Sequence, residues 1–147
     1  MSELLEKARS YEAKKIAATD KESKPLFHIS APAGWINDPN GFSVYNGKIH
    51  LFYQYYPYLR EWGPMHWGHS TTSDMIKWEQ LPCVLAPDEE YDKKGCFSGS
   101  AIEADGKHVL VYTGVTRIKL PDGSEQERQN QCIAFGDGLN YVKHENN

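Results

Sequence analysis

The rhythm of apolar positions along this chain changes once, near residue 25. Before it, Leu4, Leu5, Ala8, Tyr11 and Ile16 recur at helical spacing and make one narrow apolar stripe, interrupted by Glu12 on the same face. Glu3 and Glu6 fall in the first turn, and Lys14 and Lys15 come later, the order that a helix macrodipole favours. The spacing predicts a helix over residues 3–19, packed against the outside of the larger C-terminal region or, as the lesser alternative, against a partner. A polar linker at 20–24 ends at Pro25, which divides the chain into a helix and linker (1–24) and a second region (25–147).

From Phe27 onward the helical period is gone. Phe42 to Tyr45, then Asn46-Gly47, then Lys48 to Tyr53 is a hairpin pattern, because Asn-Gly supplies the positive φ angles of a two-residue type I′ turn. Asp105-Gly106 repeats the signal between Ser100–Glu103 and His108–Thr113. The two hairpins overlay: Gly41 answers to Gly99 at an offset of 58 residues and Gly47 to Gly106 at 59. Further on, Asp74 with Trp78 answers to Asp137 with Tyr141 at an offset of 63. Two landmarks shifted by nearly the same amount predict an internal repeat of antiparallel strands. At about sixty residues it is somewhat long for a propeller blade, but of that kind. The chain holds about two such units and stops within the outer strands of the second. Propellers close with about four blades or more, so the sequence reads as an unfinished ring with open strand edges.

Composition narrows the function classes. The 147 residues carry a net charge of −4, which gives no electrostatic case for nucleic acid or an anionic membrane surface. Cys83, Cys96 and Cys132 are an odd count without C-x-x-C spacing, the usage of reduced thiols in a cytosolic protein. The first twenty residues are charged throughout and lack the apolar core of a secretory signal, and no stretch has transmembrane length. A cytoplasmic protein is expected. The chain is rich in aromatics, with four Trp and nine Tyr. Strands favour such residues, and sugars stack on flat rings.

The most unusual segment is Trp35-Ile-Asn-Asp-Pro-Asn-Gly41. By composition Asn-Asp-Pro-Asn-Gly is a concentrated turn signal, which makes Asp38 a turn residue. The repeat register argues otherwise. Asp38 stands three residues before Gly41, where the first strand of unit one is expected to begin, and Cys96, Phe97 and Ser98 occupy the same stretch before Gly99. If the first strand of each unit lines a central channel, both stretches share its mouth.

The segment from His28 to Gly41 resembles the opening motif of glycoside hydrolase family 32, the invertases, sucrose-6-phosphate hydrolases and fructanases. Phe52-Tyr-Gln-Tyr-Tyr-Pro57, Trp62 to Ser70, Trp78-Glu-Gln-Leu-Pro82, Cys96-Phe-Ser-Gly99 and Tyr112-Thr-Gly114 resemble further family motifs in the family's order. The resemblance implies an all-β fold: about two blades of a five-bladed β-propeller, preceded here by the short helix. It implies that Asp38 is the nucleophile of a retaining β-fructofuranosidase, forming a covalent fructosyl-enzyme that water releases. Asn37, Gln54 and Ser98 would hydrogen-bond fructose hydroxyls, and Trp35, Trp62 and Phe97 would wall the sugar. Trp67 and His69 would brace the pocket. The substrate would be a small fructoside: sucrose, sucrose 6-phosphate or a short fructo-oligosaccharide.

Other readings of these residues are plainer. Without the resemblance Gln54 is a surface residue on a strand, and Trp62 plugs a blade end. His66 and His69 suggest a metal, but three-residue spacing on an extended chain puts them on opposite faces, so neither metal nor cofactor is expected. Asp88-Glu89-Glu90 with Asp92 reads as a solvated acidic loop. For a phosphorylated substrate Arg60 and Arg117 are the loose candidates.

A retaining glycosidase needs a second carboxyl about 5–5.5 Å from the nucleophile. The family places it in a Glu-Cys motif, with a further carboxylate in an Arg-Asp-Pro motif, and neither motif occurs in this sequence. The expectation is therefore an N-terminal portion of a fructosidase that is inactive alone. Two rivals remain: a non-catalytic sugar-binding or assembly module with an open propeller edge, and a propeller glycosidase acting on other furanosides. The Trp35–Gly41 motif argues against the second.

Overall fold

The computed structural model describes residues 1–20, 22 and 24–147, so the predicted linker lies partly outside the described residues. Helix α1 spans Glu3–Ala18, with Ser2 as N-cap accepting a hydrogen bond from the Leu5 amide at 3.2 Å. Its buried face is Leu5, Ala8 and Glu12. That differs from the predicted stripe, since Leu4 and Ile16 are exposed and the apparent interruption, Glu12, is the anchor. The Cys83 amide donates to Glu12 Oε2 at 3.0 Å. Burial pushes the Glu12 carboxyl up to about 7, against the opposing pull of the Cys83 amide and the Tyr55 hydroxyl.

Eight strands come after the helix: β1 (Trp35–Tyr45), β2 (Lys48–Tyr56), β3 (His66–Thr72), β4 (Glu79–Leu85), β5 (Gly95–Ala104), β6 (Lys107–Lys119), β7 (Glu125–Gly136) and β8 (Tyr141–Lys143). They form two four-stranded antiparallel meanders, ordered β1-β2-β3-β4 and β5-β6-β7-β8. Both predicted hairpin turns are present, with φ of 49° and 71° at Asn46-Gly47 and 50° and 70° at Asp105-Gly106. The second repeat landmark also has a physical basis. Asp74 Oδ1 accepts from the amides of Ile76 and Lys77, and Asp137 Oδ1 from those of Leu139 and Asn140, at 2.7–2.9 Å. Each Asp thus closes the turn between the third and fourth strands of its own sheet. The repeat is real at the level of hydrogen bonds.

The first sheet is covered on both faces. One face packs on α1 through Tyr53, Tyr55, Cys83, Ala86, Leu5 and Ala8. The other meets the second sheet through Phe52, Trp67, Leu85, Leu110, Tyr112 and Tyr141. This is why β3 is buried along its whole length and shows no alternation, although it carries two His, a Ser and two Thr. The sheets also join at a parallel bridge between Met65 and Gly95, where the Cys96 amide donates to the Met65 carbonyl at 2.8 Å.

The acidic run is not a solvated loop. Asp92 is fully buried and Asp88 nearly so, and both pair with Lys143 Nζ on β8, which also donates to the Ala86 carbonyl at 2.7 Å. Only Glu89 and Glu90 face solvent. Lys143 lies 51 residues beyond Asp92, too distant in sequence for the run to reveal its partner.

Candidate active site

Strand β1 begins at Trp35, not at Gly41, and runs straight through the segment that composition marks as a turn. Its turn-forming residues serve bulges instead. Ile36 stands opposite Tyr55 and Pro39 opposite Tyr53, so Asn37 and Asp38 together face the single residue Gln54. In β5, Phe97 stands opposite Thr113 and Gly99 opposite Tyr112, which leaves Ser98 as the extra residue. Both Asp38 and Ser98 therefore sit on bulges, at matching places in the two sheets. Released from the regular pleat, their side chains turn toward each other.

A second irregularity in β1 lets the sheets approach. Gly41 has φ of 51°, and a Cβ there would lie 2.7 Å from the Phe52 ring and 3.1 Å from the Ala101 side chain. No larger residue fits without parting the sheets.

Ser98 Oγ donates to Asp38 Oδ2 at 2.9 Å, and Asn37 Nδ2 donates to Oδ1 at 3.3 Å. Trp35 Nε1 in turn holds Asn37 Oδ1 at 2.8 Å. Both carboxylate oxygens are thus oriented by neutral donors, and among the described residues no cation pairs with Asp38. Asn37, Asp38 and Ser98 are all open to solvent.

The support beneath comes from the first sheet. Gln54 is buried, not a surface residue, and its Nε2 donates to the Cys96 carbonyl at 2.9 Å. Trp67 Nε1 donates to the Phe97 carbonyl at 3.1 Å. Two donors of one sheet thus pin the strand of the other just before its bulge. Burial pushes the Cys96 thiol well up, so it stays protonated and its Sγ donates to the Ala86 carbonyl at 3.4 Å. Trp62 and Phe97, the residue before Ser98, meet edge to face with ring centroids 6.1 Å apart, and Trp62 remains 58% exposed.

Two contributors are silent in the sequence. Asn40 is buried and its Oδ1 accepts from the Gly99 amide at 3.4 Å across the sheets. Thr113 Oγ1 donates to the Ser98 carbonyl at 3.1 Å, backed by Gln131 at 3.2 Å. Nothing at the sequence level separates either from an ordinary strand residue. His69 lies elsewhere, in the seam between the sheets with its Nε2 2.9 Å from His50 Nδ1. Among the described residues no group of three or more His, Cys, Asp or Glu is placed to hold a metal ion.

The family model for the Glycosyl hydrolases family 32 N-terminal domain matches residues 28–147. The chain belongs to glycosyl hydrolase family 32. The two sheets are accordingly two blades of a family 32 five-bladed β-propeller. Among curated relatives, the sucrose-6-phosphate hydrolase of Escherichia coli is 48% identical over 120 residues, covering 81% of this chain and 25% of that protein. The levanase of Bacillus subtilis is 38% identical over 148 residues, covering 98% of this chain and 21% of that protein. The structure of a mutant Bombyx mori GH32 β-fructofuranosidase in complex with sucrose superposes with a TM-score of 0.83 at 45% identity, over 97% of this chain and 29% of that one. The sucrose-6-phosphate hydrolase from Lactobacillus gasseri gives 0.73 at 34% identity, over 97% and 27%. This family 32 chain spans about a quarter of the length of the relatives it matches.

Proposed function

We propose that this chain supplies the nucleophile half of a retaining β-fructofuranosidase site, acting on a terminal β-fructofuranosyl unit of sucrose or sucrose 6-phosphate. The observation that carries the reading is the Asp38 carboxylate, raised on a bulge, held at both oxygens by neutral donors and open to solvent. Asp38 attacks the anomeric carbon, forming a carbon–oxygen ester as the glycosidic bond breaks. The departing oxygen takes a proton from a second carboxyl, and water then cleaves the ester on the face from which the aglycone left. Asn37, Gln54 and Ser98 orient the fructosyl hydroxyls, and Trp35, Trp62 and Phe97 form the apolar walls.

The sequence contains no Glu-Cys or Arg-Asp-Pro motif, so the 147 residues alone do not turn a fructoside over. Helix α1 acts as an appended brace for the first blade, and the thiol usage favours a reducing, cytoplasmic setting. A polypeptide joining this chain to segments with both motifs releases fructose from sucrose with retention, followed by NMR. Asp38→Asn lowers its kcat by about 10⁴-fold or more. Sucrose turnover by the isolated 147-residue chain, or an active Asp38→Asn variant, overturns the assignment.

A further inference from the structure

Three side chains at the candidate site bond one another in series, and chemistry fixes the direction of the series. An indole N–H can only donate, a carboxylate can only accept, and a primary amide does both, at opposite ends. Trp35 Nε1 donates to Asn37 Oδ1 at 2.8 Å, and Asn37 Nδ2 donates to Asp38 Oδ1 at 3.3 Å. Asn37 is exposed, so packing does not choose between the two orientations of its amide, and among the described residues its carboxamide makes no other hydrogen bond. Turned over, the amide would set oxygen against a carboxylate oxygen and NH2 against the indole N–H. The shorter bond is the anchor: the indole holds the oxygen end, and the nitrogen end then has one place to go.

The indole is itself well founded. Trp35 is half-buried and stands opposite Tyr56 in the regular ladder, whereas Asn37 and Asp38 lie on the bulge beyond it. Gly34, directly before it, has φ of 61°, and a Cβ there would lie 2.0 Å from the Tyr56 carbonyl oxygen, so the chain enters β1 hard against β2. Trp35 therefore reaches from the rigid part of the strand to the irregular part. With Asp38 Oδ2 held by Ser98 at 2.9 Å, the Asn37 nitrogen sets how far the carboxylate is rotated about that bond. An amide released from the indole would let the carboxylate turn, and a small misplacement of a reacting oxygen is costly in rate.

We infer that Trp35 is a positioning residue as well as a wall: its indole N–H fixes the Asn37 amide, so that Asn37 meets both Asp38 and the substrate as a hydrogen-bond donor. The second N–H of Asn37 Nδ2 is left for an oxygen of the bound sugar that accepts. The part Trp35 plays in turnover rests on the fructosidase reading; the fixed amide does not.

Nuclear magnetic resonance of the nitrogen-labelled 147-residue chain reads the fixed amide without turnover. Asn37→Ala should move the Trp35 indole proton toward the position of a free indole and speed its exchange with water, while the spread of the other amide signals shows that the variant folds. Trp35→Phe should likewise shift the side-chain NH2 signals of Asn37. An indole signal that Asn37→Ala leaves in place overturns the inference. The kinetic arm uses the polypeptide that joins this chain to segments carrying the Glu-Cys and Arg-Asp-Pro motifs. Trp35→Phe keeps an aromatic wall and removes the N–H, and should lower kcat on sucrose about tenfold with KM changed by less than about twofold. Trp35→His keeps an N–H on a smaller ring, and should restore part of kcat while raising KM. A wall alone gives the other order, with the Phe variant near the parent and the His variant worse in both constants; that result overturns the positioning role and leaves the fructosidase reading standing. A joined polypeptide that releases no fructose, with the indole signal moving as expected, removes the fructosidase reading and upholds the fixed amide.

Discussion

Glu12 carries a proton at pH values where an exposed glutamate has lost it, because burial raises its carboxyl from 4.5 to about 7. The folded chain then holds more protons than the unfolded chain between those values. Stability is full below about pH 4.5 and is lost as pH rises through 7. Glu12→Gln keeps an acceptor for the Cys83 amide and removes the ionisation. It should gain up to about 3 kcal/mol relative to the parent at pH 8 and little at pH 4.5, read from urea midpoints. Gln54 poses the opposite case. Gln54→Ala strips the Cys96 carbonyl of its buried donor and should cost about 1–3 kcal/mol in the same measurement. A midpoint unchanged by Gln54→Ala would show that water replaces the amide. The burial of Glu12 and Gln54 was not legible in the sequence, whereas Asp38 and Gln54 were singled out as candidates because their neighbours form recognisable runs. The bulge at Asp38 was not legible, since Asn, Asp and Gly signal a turn and a bulge by the same backbone freedom.

At the scale of elements, the meander of each blade could be read from Asn46-Gly47 and Asp105-Gly106, whose turn chemistry is local. The packing of α1 against the outside of the strand region was expected too, but the polar partners that dock α1 and β8 could not be read. Arg9 bonds the Cys83 carbonyl at 2.8 Å, Asn140 Oδ1 at 2.9 Å and the Leu139 carbonyl at 3.1 Å, so the helix grips the outermost strand of one blade and the last turn of the other. Lys143 does the same for β8, reaching back to Asp88 and Asp92. Periodicity reports which face is apolar and carries no information about a polar partner so far along the chain. Lys143→Met leaves two carboxylates buried without a cation and should destabilise by about 3–5 kcal/mol. Asp88→Asn with Asp92→Asn in the Lys143→Met background should recover most of that loss, since no buried charge remains. Failure of the triple variant to recover would place the cost in packing.

Across the whole molecule, the seam between the blades holds an acid-sensitive group of histidines. His50 Nδ1 meets His69 Nε2 at 2.9 Å, and His108 is held between Ser43 Oγ at 2.9 Å and the Tyr141 hydroxyl at 2.7 Å. Burial lowers all three, His108 to about 4 and His69 well below the usual imidazole range. His66, elsewhere on β3, is likewise lowered to about 4 by burial. Between about pH 6.5 and 4 the unfolded chain binds protons that the folded chain refuses, so stability falls as pH falls across that window. Each such histidine contributes a slope of up to about 1.4 kcal/mol per pH unit. Denaturation midpoints from pH 7 to 4 should show this slope, and His108→Gln should reduce it. A flat profile would mean that the seam hydrates and takes up its protons while folded. Glu12 acts with the opposite sign over part of the same range, so the slope is cleanest in the Glu12→Gln background.

The two bulges make parity a determinant of this site. Each adds one residue to its strand, and side chains alternate between faces one residue at a time. Removing Pro39 alone would restore an even ladder that sets Asp38 opposite Tyr53, on the face toward α1 and away from Ser98, while Trp35 stays opposite Tyr56. The chemistry proposed for this surface is thus encoded as much by how many residues separate Trp35 from the hairpin as by which residues they are.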